Sequence, residues 1–189
     1  MTTMPTANRI SQNLRTDLLL AAFLIALVAV ARLTPHAWNF APVIAAGLFA
    51  GATLGTRSLA FAVPIGGMLL SDIVLGSDHW GIKAFVYASL AASPLIGMFA
   101  RRFRVSVMLV PAVLSGSLIF FAASNFAVWL FSGMYSLDWA GLAACYVAAL
   151  PFFQYTLAGE TFWSVALFGG AWLVQRATAR RAPDALAHS

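Results

Sequence analysis

The sequence predicts an all-α membrane protein: a six-transmembrane-helix bundle, both termini cytoplasmic, with an extra interfacial helix before the last span. Three observations carry this prediction. The 189 residues are 61% hydrophobic and 9% charged, with mean hydropathy +0.86, whereas soluble domains carry ~25% charge. The apolar residues fall into discrete runs long enough to approach the ~20 helical residues that a ~30 Å hydrocarbon core requires. Finally, nine of the 11 basic residues share one side when the six runs are threaded in order: Arg9, Arg15, Arg57, Arg101, Arg102, Arg104, Arg176, Arg180 and Arg181. Only Arg32 and Lys83 stand opposite, so the arginine-rich side is the cytoplasmic one.

The runs are residues 17–33, 39–55, 58–75, 82–100, 105–131 and 159–175. Residues 1–16 form a cytoplasmic N-terminal segment, 17–176 the six-helix transmembrane domain, and 177–189 a loose cytoplasmic tail. The first two runs are short and call for snorkelling ends or local thinning of the bilayer. Arg9 and Arg15 before the first run, with Ala29-Val30-Ala31 near its end, also fit a cleavable signal peptide; the polytopic chain that follows favours an uncleaved first span. The fifth run is long enough to tilt or project, and Pro111 and Ser115-Gly116-Ser117 give it places to bend.

Residues 139–151 are apolar but short, and they end at Pro151. As a seventh crossing they would carry three arginines outside and divide the basic residues six to five. Held at the outer interface, as an interfacial or re-entrant helix, they leave nine to two.

Two glycine and alanine patterns read as smooth helix faces. Gly47, Gly51 and Gly55 recur every four residues, and Ala22 and Ala26 make a weaker version in the first run. Small residues let helix backbones approach closely in lipid, either inside the monomer or against a partner membrane protein.

The outer face holds the chemistry. A carboxylate at mid-membrane costs ~2.5–3.5 kcal/mol to insert, so Asp72, one turn from the outer end of its run, needs a reason. Glu160 stands at the outer start of the last run, and Asn125 with Ser124 lies within two turns of the outer end of the fifth. Asp138 and Cys145 fall near the same face. Two loops join them: Thr34-Pro35-His36-Ala37-Trp38-Asn39-Phe40-Ala41-Pro42 and Gly76-Ser77-Asp78-His79-Trp80-Gly81. Converging, these groups would line a cavity open to the outside; separately, Asp72 and Glu160 would be helix-end residues, one capping and the other neutralised by Arg32 or Lys83. Trp38 and Trp80 fit an aromatic belt as well as a ligand contact.

Several functions are excluded or disfavoured. The arginines flank apolar spans and form no basic face for nucleic acid. There is no Gly-x-x-x-x-Gly-Lys-Ser/Thr phosphate loop, no Gly-x-Ser-x-Gly nucleophile and no His-Glu-x-x-His metal motif. Cys145 is the single cysteine, so neither an internal disulfide nor a cysteine cluster forms. No cofactor or metal is called for, and the chain does not read as an enzyme.

The runs Asn39-Phe40-Ala41-Pro42-Val43-Ile44-Ala45-Ala46-Gly47-Leu48-Phe49-Ala50-Gly51 and Met68-Leu69-Leu70-Ser71-Asp72-Ile73-Val74-Leu75-Gly76 look like a family of small, uncharacterised bacterial membrane proteins. Tyr146-Val147-Ala148-Ala149-Leu150-Pro151-Phe152-Phe153 and the stretch from Gly159-Glu160 to Leu167-Phe168-Gly169-Gly170 extend the likeness, over roughly residues 32 to 172. These proteins resemble the S components of energy-coupling-factor (ECF) vitamin transporters. The resemblance implies uptake of a vitamin or related micronutrient across the bacterial cytoplasmic membrane, through an outward pocket closed by loops. It implies docking through small-residue faces, here Ala22/Ala26 and the glycines, to a coupling protein driven by an ATPase module. A cobalamin-uptake branch, part of which acts without ATPases, makes cobalamin the best single ligand. That branch uses a loop cysteine toward cobalt; here the corresponding loop offers His79 instead, a weak candidate for that role. The implied pocket comprises Trp38, Asn39, Asp72, Asp78, His79, Trp80, Asn125 and Glu160. The alternative is a structural scaffold subunit of the envelope, in which the glycine face docks and the outer acids merely finish helices.

Overall fold

In the computed structural model, residues 6–35, 39–76, 79–103 and 105–186 are described, and among them every regular element is an α-helix. They are α1 (Thr6–Leu33), α2 (Val43–Thr53), α3 (Arg57–Leu75), α4 (Trp80–Leu90), α5 (Ala92–Ala100), α6 (Val105–Phe131) and α7 (Trp139–Leu186). Five stretches are long and apolar enough to cross a membrane: residues 13–33, 57–75, 80–100, 107–131 and 139–179. The chain is a multi-pass helical membrane protein.

α2 is the axis of the bundle. All nine residues from Val43 to Gly51 are buried, enclosed by α1, α3, α5, α6 and α7. With 11 residues it is only ~16 Å long. The expected run of residues 39–55 is thus corrected at both ends. Asn39 sits in left-handed backbone at φ 57°, a conformation asparagine tolerates better than most residues, and Pro42 precedes the first turn. At the other end Gly55 lies in the α2–α3 turn, where the Thr56 amide donates to Asp17 Oδ2 of α1 at 2.8 Å.

The glycine face is used internally. A Cβ on Gly51 would meet the Pro94 carbonyl carbon at 2.8 Å, and one on Gly97 would meet the Leu48 carbonyl carbon at 2.9 Å. Gly47 lies against the Ser93 side chain. α2 and α5 are therefore in near backbone contact, and Gly47 and Gly51 are not a docking face for another protein. Gly55 is exposed, but it stands outside α2. Ala22 and Ala26 are exposed on α1, opposite the buried Ala21, Leu24 and Val28. α3 supplies a smooth face that the sequence reading passed over: Gly66 receives Ile25, and Gly67 receives Val28.

The run at 82–100 is two helices. Pro94 has no N–H for the Leu90 carbonyl, and the Ser93 hydroxyl donates to that carbonyl instead, at 2.7 Å. The helix turns at Ala91 and resumes as α5. The runs at 58–75 and 105–131 match α3 and α6 to within a residue.

α7 overturns two expectations. Residues 139–151 are not a separate interfacial helix, and the tail is helical to Leu186, because one helix of 48 residues runs from Trp139 onward. Pro151 leaves the Val147 carbonyl without its helical donor but does not end the helix. At ~72 Å α7 is over twice the thickness of the hydrocarbon core. Its first turns pair with the far end of α6: Tyr146 OH donates to Ala122 O at 2.6 Å, and Trp129 Nε1 to Ser136 O at 2.9 Å. Asp138 is the cap of α7, with Oδ1 accepting from the Gly141 amide at 2.7 Å and from Ser136 Oγ at 3.0 Å. The Gly141 amide, followed by the Ser136 hydroxyl, holds the Asp138 carboxyl below its usual value of 3.8.

Candidate ligand cavity

The first turn of α2 needs acceptors for its backbone donors. The Val43 amide uses Ala41 O at 2.9 Å, and the Ala46 amide uses Pro42 O at 2.9 Å. Pro42 has no side-chain acceptor for the two amides between them. Glu160 fills that place from α7: Oε1 accepts from Ile44 N at 3.0 Å, and Oε2 from Ala45 N at 2.6 Å. A side chain at the helix start normally caps these positions; here it comes from 115 residues away. The neighbouring Gly159 makes the approach possible, since a Cβ there would meet Phe40 Cα at 2.9 Å. Trp163 Nε1 then donates to Phe40 O at 3.0 Å. The Asn39–Pro42 and Gly159-Glu160 motifs are thus the two halves of one joint. Glu160 is 3% exposed and lies well inside α7, not at the start of a span.

Asp72 anchors a second joint. Its Oδ1 accepts from Arg32 Nη1 at 2.8 Å, and Oδ2 accepts from Tyr87 OH at 2.9 Å and faces Lys83 Nζ at 3.3 Å. Arg32 Nη1 also reaches Ser71 Oγ and Met68 O. The Ser71 hydroxyl donates back to its own helix, to Gly67 O and Met68 O, both at 2.9 Å. The carboxylate ties α1, α3 and α4 together, and Arg32 and Lys83 both converge on it.

Between the two joints lies a cavity of about 380 Å³, lined by Arg32, Asn39, Met68, Phe120, Thr156 and Glu160 among others. A second chamber of about 390 Å³ adjoins it through Arg32, Met68 and Leu75, and contains Asp72, Lys83 and Tyr87. A third, of about 250 Å³, adjoins it through Asn39, Phe120 and Thr156, and contains Ser124 and Asn125. Chambers of this size suit small organic ligands; the first and third are largely apolar, whereas the second is mainly polar.

The structure thus places Asn39, Asp72, Asn125 and Glu160 on the walls of three adjoining chambers. It does not bring in His79 or Trp80. His79 caps α4, its Nδ1 accepting from Gly81 N at 3.2 Å, and its ring stacks on Phe131 at 5.5 Å. Trp80 is 73% exposed and packs on the same two rings. Neither lines any of the three chambers. Trp38 and Asp78, with His36, lie outside the described residues. Cys145 is buried with its thiol toward Asn125 O at 3.4 Å. Among the described residues no three His, Cys, Asp or Glu side chains gather as a metal site. Sequence reasoning missed Arg32, Lys83, Tyr87 and Thr156 as cavity residues. For Arg32 and Lys83 a signal existed: they are the two exceptions to the charge asymmetry.

A buried helix hub, two polar joints and three adjoining open chambers characterise this polytopic helical membrane protein. The chain belongs to a family of unknown function (DUF6580), which it matches over residues 12–183. No curated protein and no solved structure matches it.

Proposed function

We propose that this protein is a substrate-binding membrane protein for uptake of a vitamin or related micronutrient, resembling an ECF S component in the bacterial cytoplasmic membrane. The observation that carries the reading is the branched cavity, with Arg32, Asn39, Asn125, Thr156 and Glu160 on its walls. In this reading six helical passes place both termini in the cytoplasm, with α2 as a short buried pass and α4–α5 together as one. Continuity of α7 supports that count, because residues 139–151 add no crossing and the nine-to-two charge division survives. The outer ends of α6 and α7 project together beyond the bilayer. Cobalamin is the hardest vitamin to fit, since a corrinoid of over a kilodalton exceeds any one chamber; a smaller molecule fits better. Exposed Ala22 and Ala26 remain the candidate face for a coupling protein with its ATPase module.

Purification from cells supplied with individual vitamins, followed by mass spectrometry of co-purifying small molecules, tests the proposal. A specific retained vitamin supports it, and a preparation that neither retains nor rebinds any vitamin refutes it.

The scaffold alternative has one observation in its favour: the oxygens of Asp72 and Glu160 all engage the protein's own donors. Neutralising these two acids would therefore damage the fold in either case. Asn125→Leu and Thr156→Val are better discriminators, because both residues line the cavity without tying helices together through their side chains. Loss of uptake with an unchanged melting midpoint favours transport, and unchanged uptake favours the scaffold.

A further inference from the structure

We propose that the ligand of this cavity is a small carboxylic acid, held at its carboxylate by Arg32 and Lys83, with Asp72 positioning both cations. The inference rests on the uptake reading and specifies its substrate class.

Arg32 lies in the last turn of α1, where an arginine at a membrane edge ordinarily snorkels into water. Here it folds inward to Met68 O at 3.4 Å and Asp72 Oδ1 at 2.8 Å, and its side chain is 20% exposed. Lys83 comes to the same carboxylate from α4 and is 31% exposed. Two cations thus face one anion, and among the described residues this group carries one net positive charge beside two open chambers. An anionic ligand entering either chamber meets this excess positive charge and offsets it.

Asp72 is not the group that meets the ligand. Its Oδ1 holds Arg32 and its Oδ2 holds both Lys83 and Tyr87, so it aims the cations. Arg32 has donors in reserve. Guanidinium offers five N–H groups in a fixed fork, and its hydrogen bonds to described residues all leave from Nη1. Arg32 also lines both the 380 Å³ and the 390 Å³ chambers, where a carboxylate can take the fork geometry that arginine favours. Away from Arg32 the wall is formed by Ile44, Leu90 and Phe120, which suits an apolar body.

The test uses the full chain in phosphatidylcholine nanodiscs and matched acid–amide probes: biotin with biotin amide, lipoate with lipoamide, and nicotinate with nicotinamide. At least one acid is expected to bind roughly tenfold or more tightly than its amide. Lys83→Gln should remove that margin, weakening acid binding more than amide binding. Arg32→Lys keeps a cation beside Asp72 but removes the spare guanidinium donors, and should shrink the margin as well. Acids and amides that bind alike, or a neutral vitamin such as riboflavin that binds in preference to every acid, would overturn the inference and leave the uptake reading standing. Absence of binding by any vitamin, charged or neutral, brings down both. If the Arg32 and Lys83 variants change only the response to added phosphatidylglycerol, the site belongs to a lipid headgroup and the inference fails.

Discussion

Removing the Glu160 carboxylate isolates the joint on which the cavity depends. In Glu160→Ala the Ile44 and Ala45 amides, now bonded at 3.0 and 2.6 Å, lose their acceptor inside a helix whose first nine residues are all buried. Each stranded buried donor costs about 1–3 kcal/mol, so the pair sets a range of about 2–6 kcal/mol. The adjoining 380 Å³ cavity gives water a route to these amides, which places the outcome in the lower half of that range. At ~2–4 °C per kcal/mol for a chain of this size, the melting midpoint of ligand-free protein in detergent should fall by roughly 5–15 °C. Glu160→Gln keeps one acceptor oxygen but turns an N–H₂ toward the second amide, so it should fall about half as far. Hydrogen exchange supplies the local readout: a peptide covering residues 43–50 should exchange faster in both variants, while peptides within α6 should not. A Glu160→Ala protein with an unchanged midpoint and unchanged exchange across α2 would refute the capping argument.

Other perturbations check separate parts of the account. Gly51→Ala forces a methyl into the Pro94 backbone and should destabilise by about 1–3 kcal/mol or more. Gly170→Ala meets nothing within 4 Å and should be neutral or stabilising by about 0.5–1 kcal/mol; equal midpoints for the two variants would contradict the α2–α5 contact. Asp138 has a folded pKa below its ordinary value of 3.8, so its stabilising contribution is present above that value and lost as pH falls through the lower folded one. Asp138→Asn keeps the cap without the charge, so wild type should be the more stable near pH 7 and the gap should close below about pH 4, read from melting curves between pH 7 and 3. In a Cys145→Ala background, Met134→Cys should react with a membrane-impermeant maleimide on intact cells and Ala177→Cys only after lysis. The reverse pattern would invert the proposed orientation.

The helical membrane class was legible because it rests on composition, and α3 and α6 were legible because continuous hydropathy and flanking breakers agree at both ends. The remaining boundaries failed for identifiable reasons. Pro151 reads as a stop, yet a proline removes one hydrogen bond without forbidding a helix that is held on both sides, as α7 is by Tyr146 against Ala122 and Trp163 against Phe40. Pro94 reads as harmless within an apolar run, yet the turn at Ala91 becomes stable because the Ser93 hydroxyl supplies the missing donor. Hydropathy records neither effect. The run at 39–55 read as short, but its contraction to the 11 residues of α2 was hidden: a buried hub needs no apolar length to match the bilayer, since other helices rather than lipid surround it.

The site divides in the same way. Asp72 and Glu160 stood out because a carboxylate in an apolar run is costly, and that cost forces a partner on each of them. A residue conspicuous for this reason is engaged in the folded chain before any ligand arrives. Glu160 closes the α2 amides, and Asp72 gathers Arg32, Lys83 and Tyr87. The groups left to recognise a ligand are those whose bonding capacity exceeds what the fold consumes. Asn39 and Thr156 are uncharged and stand where two chambers meet. Arg32 is charged, yet all its bonds to described residues leave from a single nitrogen. Its place on the sparsely basic side of the membrane was visible from the sequence, but its inward turn depends on Ser71 and Asp72 standing one helix away. In the proposed site, the ligand meets the charge that breaks the topological pattern rather than the acid that breaks the hydropathy pattern.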